Sequence, residues 1–190
     1  MTVTWHSLPG MSWSDVYPAK RLAAPDVAWP SRYAEISAGL LQELGPGWTT
    51  EHVGSTSVPG LVAKPVIDLA LRLPHGCLLA DTSPSFVRAG WTAPVAVGDH
   101  WATFLMTDEV RSAIGHIFAP EQWPEADVRL FAEWLRTHPA DRDSYADLKR
   151  TLVEQGTWGS DYTAAKAAFV LDVVNDARAA RGLPPLNEPL

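Results

Sequence analysis

The stretch Glu51-His-Val-Gly-Ser-Thr-Ser-Val-Pro-Gly-Leu-Val-Ala-Lys-Pro-Val-Ile-Asp68 decides how the chain is read. It leaves a β-type segment, breaks at a cluster of glycine, proline and small hydroxyl residues, and re-enters an apolar run. That pattern predicts strand, loop, strand, with the strands over residues 48–53 and 66–73. Gly54 permits close approach of the backbone to a phosphate, and Ser55, Thr56 and Ser57 add hydroxyl donors for its oxygens. Asp68 lies inside Val66-Ile-Asp-Leu-Ala-Leu71, where an unpaired carboxylate bears a desolvation cost. Lys64, Arg72 or a divalent cation is therefore expected beside it, with Lys64 read as an anion partner facing the same cleft. His52 is read as a strand histidine, paired with Glu51 or packed on the core, ahead of a catalytic base.

Upstream, Trp29, Tyr33, Ile36, Leu40 and Leu44 recur at helical spacing, with Pro30 suited to a first turn and Gly45 to a C-terminal cap. Residues 1–24 show no sustained periodicity and are read as an N-terminal extension, leaving 25–190 as a single domain. Downstream, a helix over about 83–88 and strands around Trp91, Trp101 to Met106 and Val110 to Phe118 are expected. After Pro120 the spacing is helical, with Val128, Phe131 and Leu135 on one helix, Tyr145, Leu148 and Leu152 on the next, and Phe169, Val170 and Val173 on the last. Pro124 and Pro139 suit helix starts. Asp108 and Glu109 read as a solvent-facing turn, and His6, His75, His100 and His138 receive no role.

With 190 residues the chain can bury one substantial core but is short for two ordinary domains. Its nine tryptophans are read chiefly as core. A formal net charge of −7 excludes a broad nucleic-acid surface, while local basic groups leave room for a small anionic ligand. The single cysteine, Cys77, makes no internal disulfide, and no Cys/His spacing suits structural zinc. With neither a leader pattern nor an apolar run long enough to span a bilayer, no membrane role and a cytoplasmic location are expected.

The run Gly54-Ser-Thr-Ser-Val-Pro-Gly-Leu-x-x-Lys-Pro-x-Ile-Asp68 resembles the signature of the GrpB-like family, as do Asp26-Val-Ala-Trp-Pro-Ser-Arg-Tyr33, Tyr145-Ala-Asp-Leu-Lys149 and Tyr162-Thr-Ala-Ala-Lys-Ala-Ala-Phe169. The resemblance extends from about residue 25 to the end. It implies an α/β (α+β) architecture, a nucleotidyltransferase-like mixed β-sheet with flanking helices and a C-terminal helical part. It also implies that Lys149, Tyr162 and Lys166 join Gly54, Ser55, Thr56, Ser57, Lys64, Arg111 and His116 as ligand-binding residues. In active members of that fold, paired carboxylates hold Mg²⁺ against a triphosphate, which makes Asp68 the implied catalytic and metal residue.

Two departures qualify the resemblance. Ala70 stands where the second metal-binding carboxylate would be. Arg111-Ser-Ala-Ile-Gly-His116 keeps only the ends of a family segment that often reads Arg-Thr-His-His-Leu-His. In a regular strand Arg111 and His116 point to opposite faces, unless Gly115 marks a bulge. The expected functions are therefore Mg-dependent nucleotidyl transfer to a small acceptor, a non-catalytic nucleotide or anion-binding module, or a protein-interaction domain.

Overall fold

A computed structural model describes residues 22–188. The elements in chain order are α1 (Trp29–Leu44), β1 (Thr49–Val53), β2 (Ile67–Arg72), α2 (Leu79–Arg88), β3 (Val95–Val97), β4 (His100–Thr107), β5 (Val110–Phe118), α3 (Asp127–Thr137), α4 (Pro139–Glu154), α5 (Gly159–Ala165) and α6 (Ala167–Ala179). The strands form one mixed sheet in the order β1-β2-β5-β4-β3, in which β2 and β5 are parallel and the other neighbours antiparallel. The apolar run of β2 fits its place inside the sheet, where both faces are covered.

Alternation along β2 separates the two faces. Leu69 and Leu71 point into a core with Trp29, Leu40, Trp48, Phe86, Trp91 and Ile117, covered by α1 and α2. Asp68 and Ala70 point to the other face. There Ala70 packs with Val53, Phe118, Ala126 and Ala132, while α3, α4 and α6 build a further cluster around Val58 and Leu61 of the Gly-Ser loop. The site therefore lies on the helical-bundle side of the sheet.

Helix α1 begins and ends as its sequence dictates: Pro30 sits in the first turn and Gly45, at φ 80°, returns its N–H to Leu41 O at 3.0 Å. The strand expected around Trp91 reduces to an isolated bridge to Leu105, and β3 starts four residues later. The cause is Thr92, whose hydroxyl accepts the Phe104 N–H at 3.0 Å and so takes the place of a backbone carbonyl in the ladder. Pro124 lies in a 3₁₀ turn, Trp123–Glu125, that precedes α3, whereas Pro139 opens α4. The expected N-terminal extension lies outside the described residues except for its last three, of which Ala23 pairs with Ala63.

Asp108 and Glu109 form the two-residue turn between β4 and β5, and both adopt positive φ, 50° and 63°. This is the type I′ geometry that asparagine followed by glycine fits best. The double replacement Asp108→Asn/Glu109→Gly is expected to stabilise the fold by about 1 kcal/mol. A urea midpoint unchanged or lowered in that variant would count against the assignment.

The same hairpin carries a bulge. Leu105 pairs with Ala113 but Met106 pairs with Arg111, so Ser112 is the extra residue. Its hydroxyl donates to Leu105 O at 3.1 Å. One inserted residue reverses side-chain parity, so Arg111 and His116 both face the helical-bundle side. The bulge is thus at Ser112 and not at Gly115, which keeps regular register with Leu69 and Thr103. Gly115 serves close packing on the opposite face, where a Cβ would stand 2.8 Å from Thr103 Cγ2 and 2.9 Å from Leu71 Cδ1.

Candidate functional site

Between the Asp68 face of the sheet and helices α3 to α6 lies a cleft of about 310 Å³. Asp68 forms its floor. Gly54 follows β1 directly, and because Val53 pairs with Asp68, the carboxylate lies against the Gly54 Cα. A Cβ on residue 54 would stand 2.7 Å from Asp68 Cγ and 2.8 Å from its Cβ. Glycine is required here on two counts, since the backbone is at φ 66°, ψ −173°, a region that side-chain-bearing residues scarcely enter.

Four cationic side chains line the walls. Lys149 of α4 is only 2% exposed, and its ammonium donates to Ser55 Oγ at 3.1 Å and to Val62 O, tying the Gly-Ser loop to the segment that leads into β2. Lys64 Nζ stands over the rings of Trp158 and Tyr162, at 4.2 and 4.4 Å from their centroids. Lys166 Nζ is likewise 4.4 Å from the Tyr162 centroid. The Arg111 guanidinium lies 4.2 Å from the Phe104 centroid and is buried at 5% exposure. The aromatic rings present their electron-rich faces to these cations and hold them at the cleft.

Burial dominates the titration of the groups in this space, and the neighbouring charges add to it or oppose it. Burial pushes the Lys64 ammonium down to about 7, helped by Lys166 and Arg111 and opposed by Asp68. Burial also lowers Lys149 to about 6, with Lys166 and Arg150 adding to the effect. Asp68 moves the other way, raised by burial to about 7 against the pull of Lys166, Arg111, Lys64 and Lys149. His116 is pushed down to about 3 by burial and by His100, so its imidazole is neutral. An anion entering the cleft would relieve the repulsion among the cations and restore their protons.

The "GrpB protein" family model matches residues 20–176. The chain belongs to the GrpB family. A UPF0157 protein of Streptomyces coelicolor is 32% identical over 158 residues, covering 82% of this chain and 83% of that one. The fold is similar to that of the conserved protein GrpB from Enterococcus faecalis, whose crystal structure superposes with a TM-score of 0.75 at 24% identity over 85% of this chain and 99% of that one. A dephospho-CoA kinase of Mycobacterium leprae is 26% identical over 195 residues, which are 85% of this chain and 47% of the kinase.

Of the residues that the GrpB signature singles out, Gly54, Ser55, Lys64, Asp68, Arg111, His116, Lys149, Tyr162 and Lys166 come together on the cleft. Thr56 and Ser57 do not line it. Thr56 Oγ1 bonds to His52 Nε2 at 3.0 Å and donates to Val66 O, while Ser57 Oγ donates to Gly54 O at 2.7 Å, so both hydroxyls brace the loop from within. His52 stands on the α1 side, its ring stacked 4.7 Å from that of Tyr33. Glu51 pairs with Arg129 instead of His52, and Arg72, one of the expected partners of Asp68, donates to Thr49 Oγ1. Arg136 donates to His52 O and Ser57 O and anchors α3 to the loop.

Trp158 and His100 were not singled out by sequence reasoning. Trp158 follows the helix break at Gly156, and the aromatic pair Trp158 and Tyr162, four apart at the start of α5, was the available signal for a cation pocket. His100 gave none, because its relation to His116 depends on the β4–β5 register. Among the described residues no helix is long and apolar enough to cross a membrane.

Proposed function

We propose that the cleft binds the phosphate of a nucleotide or of another small anionic molecule, and that it does so without a magnesium ion held by the protein. The observation that carries this reading is the convergence of Lys64, Arg111, Lys149 and Lys166 on a space whose floor has one carboxylate, Asp68. Ammonium and guanidinium groups suit phosphate oxygens. Asp127 also borders the cleft, but Arg178 Nη1 pairs with it at 3.2 Å.

The donor set does not fit a resident magnesium. Magnesium demands a near-octahedral shell of oxygen ligands, usually with more than one carboxylate. Ala70, on the same face as Asp68, is fully buried against Val53, Phe118, Ala126 and Ala132, with His116 beside it in register on β5. Among the described residues no group of three or more His, Cys, Asp or Glu side chains is placed to hold a metal. Nucleotidyl transfer keeps one favourable observation, the packing of Asp68 against the Gly-Ser turn, but a metal in that reading would have to arrive with the nucleotide.

Thermal shifts with inorganic phosphate, ATP, GTP, CTP, UTP and CoA precursors, with and without Mg²⁺, separate the readings. The relationship to a dephospho-CoA kinase motivates the CoA precursors. A metal-independent shift that is lost in Lys166→Ala is expected. A shift that requires Mg²⁺ and disappears in Asp68→Asn would favour transfer instead, and the absence of any shift would remove the anion reading.

A further inference from the structure

On its β5 side the cleft is lined by His116, whose ring meets that of His100 on β4. His100 begins β4 and His116 lies near the end of β5, diagonal neighbours on one face of the sheet. Their rings meet through His100 Nε2 and His116 Nδ1 at 3.2 Å. On the far side, His100 Nδ1 lies 3.0 Å from Asp99 Oδ1. The His100 ring is also stacked on Phe118 at 4.8 Å, which fixes its plane. Asp99 is itself held in the β3–β4 turn, where its carbonyl accepts from Gln122 Nε2 at 2.6 Å.

With both imidazoles neutral, this chain of contacts fixes where the protons sit. A carboxylate offers lone pairs only, so His100 Nδ1 must donate to Asp99. A neutral His100 with its proton on Nδ1 has an acceptor at Nε2. His116 Nδ1 must then be the donor in the contact between the rings, and the neutral His116 ring carries its lone pair on Nε2. That atom faces Asp68, whose Oδ1 is 4.0 Å away, beyond hydrogen-bonding distance. The side chains of His116 and Asp68 are 12% and 24% exposed, so both are reachable from the cleft.

We propose that His100 is a positioning residue that fixes His116 in its Nδ1–H form, so that Nε2 accepts a hydrogen bond from a hydroxyl on the bound anion and selects hydroxylated phosphate esters. The ligand class rests on the anion-cleft reading: one end of the molecule meets the lysines and Arg111, and a hydroxyl end meets His116. The tautomer does not rest on it. Nothing in the sequence pattern announced this role, because His100 and His116 are sixteen residues apart.

Long-range ¹H–¹⁵N correlation of the histidine ring nitrogens in the ligand-free protein reads the tautomer directly. Wild type is expected to show His116 protonated at Nδ1 and bare at Nε2. His100→Gln, whose amide oxygen can accept the same proton, should retain that pattern. His100→Leu, which packs on Phe118 but accepts nothing, should move proton density to Nε2, with the backbone amide spectrum confirming that the fold is intact. A wild-type His116 protonated at Nε2, or a His116 tautomer unchanged in His100→Leu, overturns the proposal.

Binding of glycerol 2-phosphate and methyl phosphate supplies the second arm. One hydrogen bond predicts that the hydroxylated ester binds about tenfold more tightly in wild type and His100→Gln. In His100→Leu the preference should shrink to about twofold or less. Equal binding of the two esters in wild type also overturns the selection of hydroxylated ligands. If neither ester binds while the tautomer pattern is as expected, the failure belongs to the anion-cleft reading and not to the role of His100.

Discussion

Replacing Gly54 by alanine is expected to destabilise the protein by about 4 kcal/mol. Two costs add. The backbone at φ 66°, ψ −173° is nearly reserved to glycine, which accounts for roughly 2 kcal/mol. The new methyl group would also meet the Asp68 carboxylate and force β1 and β2 apart at Val53 and Asp68. The two contributions can be separated with a double-mutant cycle. In Gly54→Ala/Asp68→Ala the carboxylate is gone, so about half of the loss should return while the conformational part remains. Urea unfolding of the four proteins measures this, and a Gly54→Ala variant within about 1 kcal/mol of wild type would show that the loop and Asp68 are not packed as described.

The second large effect concerns pH. Lys64 and Lys149 fall from the ordinary 10.5 to about 7 and about 6 in the folded protein. Between those values and 10.5 the unfolded chain binds more protons than the folded one, so stability rises with pH across that window. Asp68 is raised from 3.8 to about 7, so the folded state binds the extra proton and stability falls as pH rises from 3.8 toward 7. Together the groups place a stability minimum near neutrality in the ligand-free protein. Unfolding free energy should be greater at pH 9.5 than at pH 7 by roughly 3 kcal/mol, after allowance for exposed charges. Lys149→Met should flatten this rise. Stability that declines steadily from pH 7 to 9.5 in wild type would contradict the burial of Lys64 and Lys149 beside other cations in the cleft. Saturating anion should lessen the same rise, because a bound phosphate keeps both lysines protonated at pH 7.

The assembly of the cleft agrees with the proposed anion site. Lys149 is buried where an apolar residue would pack more cheaply, yet its ammonium bridges the Gly-Ser loop and the entry to β2 through Ser55 and Val62. The loop is braced by Thr56, Ser57 and Arg136, none of which lines the cleft. Under the proposed anion-binding function, rigid support of this kind would hold the cationic groups in place beforehand and lower the entropy cost of binding.

The local pattern of residues settled a good deal. The strand, loop and strand around Gly54 to Asp68, the helix capped by Pro30 and Gly45, and the late helices could be read from periodicity and turn chemistry, because those depend on neighbours in the chain. The GrpB signature drew together Lys64, Asp68, Lys149, Tyr162 and Lys166 from segments far apart in sequence. The tertiary structure decided the rest. Arg111 reaches the cleft only because the pairing of β4 with β5 places an extra residue at Ser112, and strand parity alone pointed it away. The contact of His100 with His116 and the placement of Trp158 over Lys64 likewise depend on register and helix docking. Thr56 and Ser57 read as ligand donors because hydroxyls beside a glycine suit phosphate, but the fold satisfies them inside the loop. Sequence fixes which groups a residue carries and which local turn it favours, whereas strand register and packing determine which of those groups face the same space.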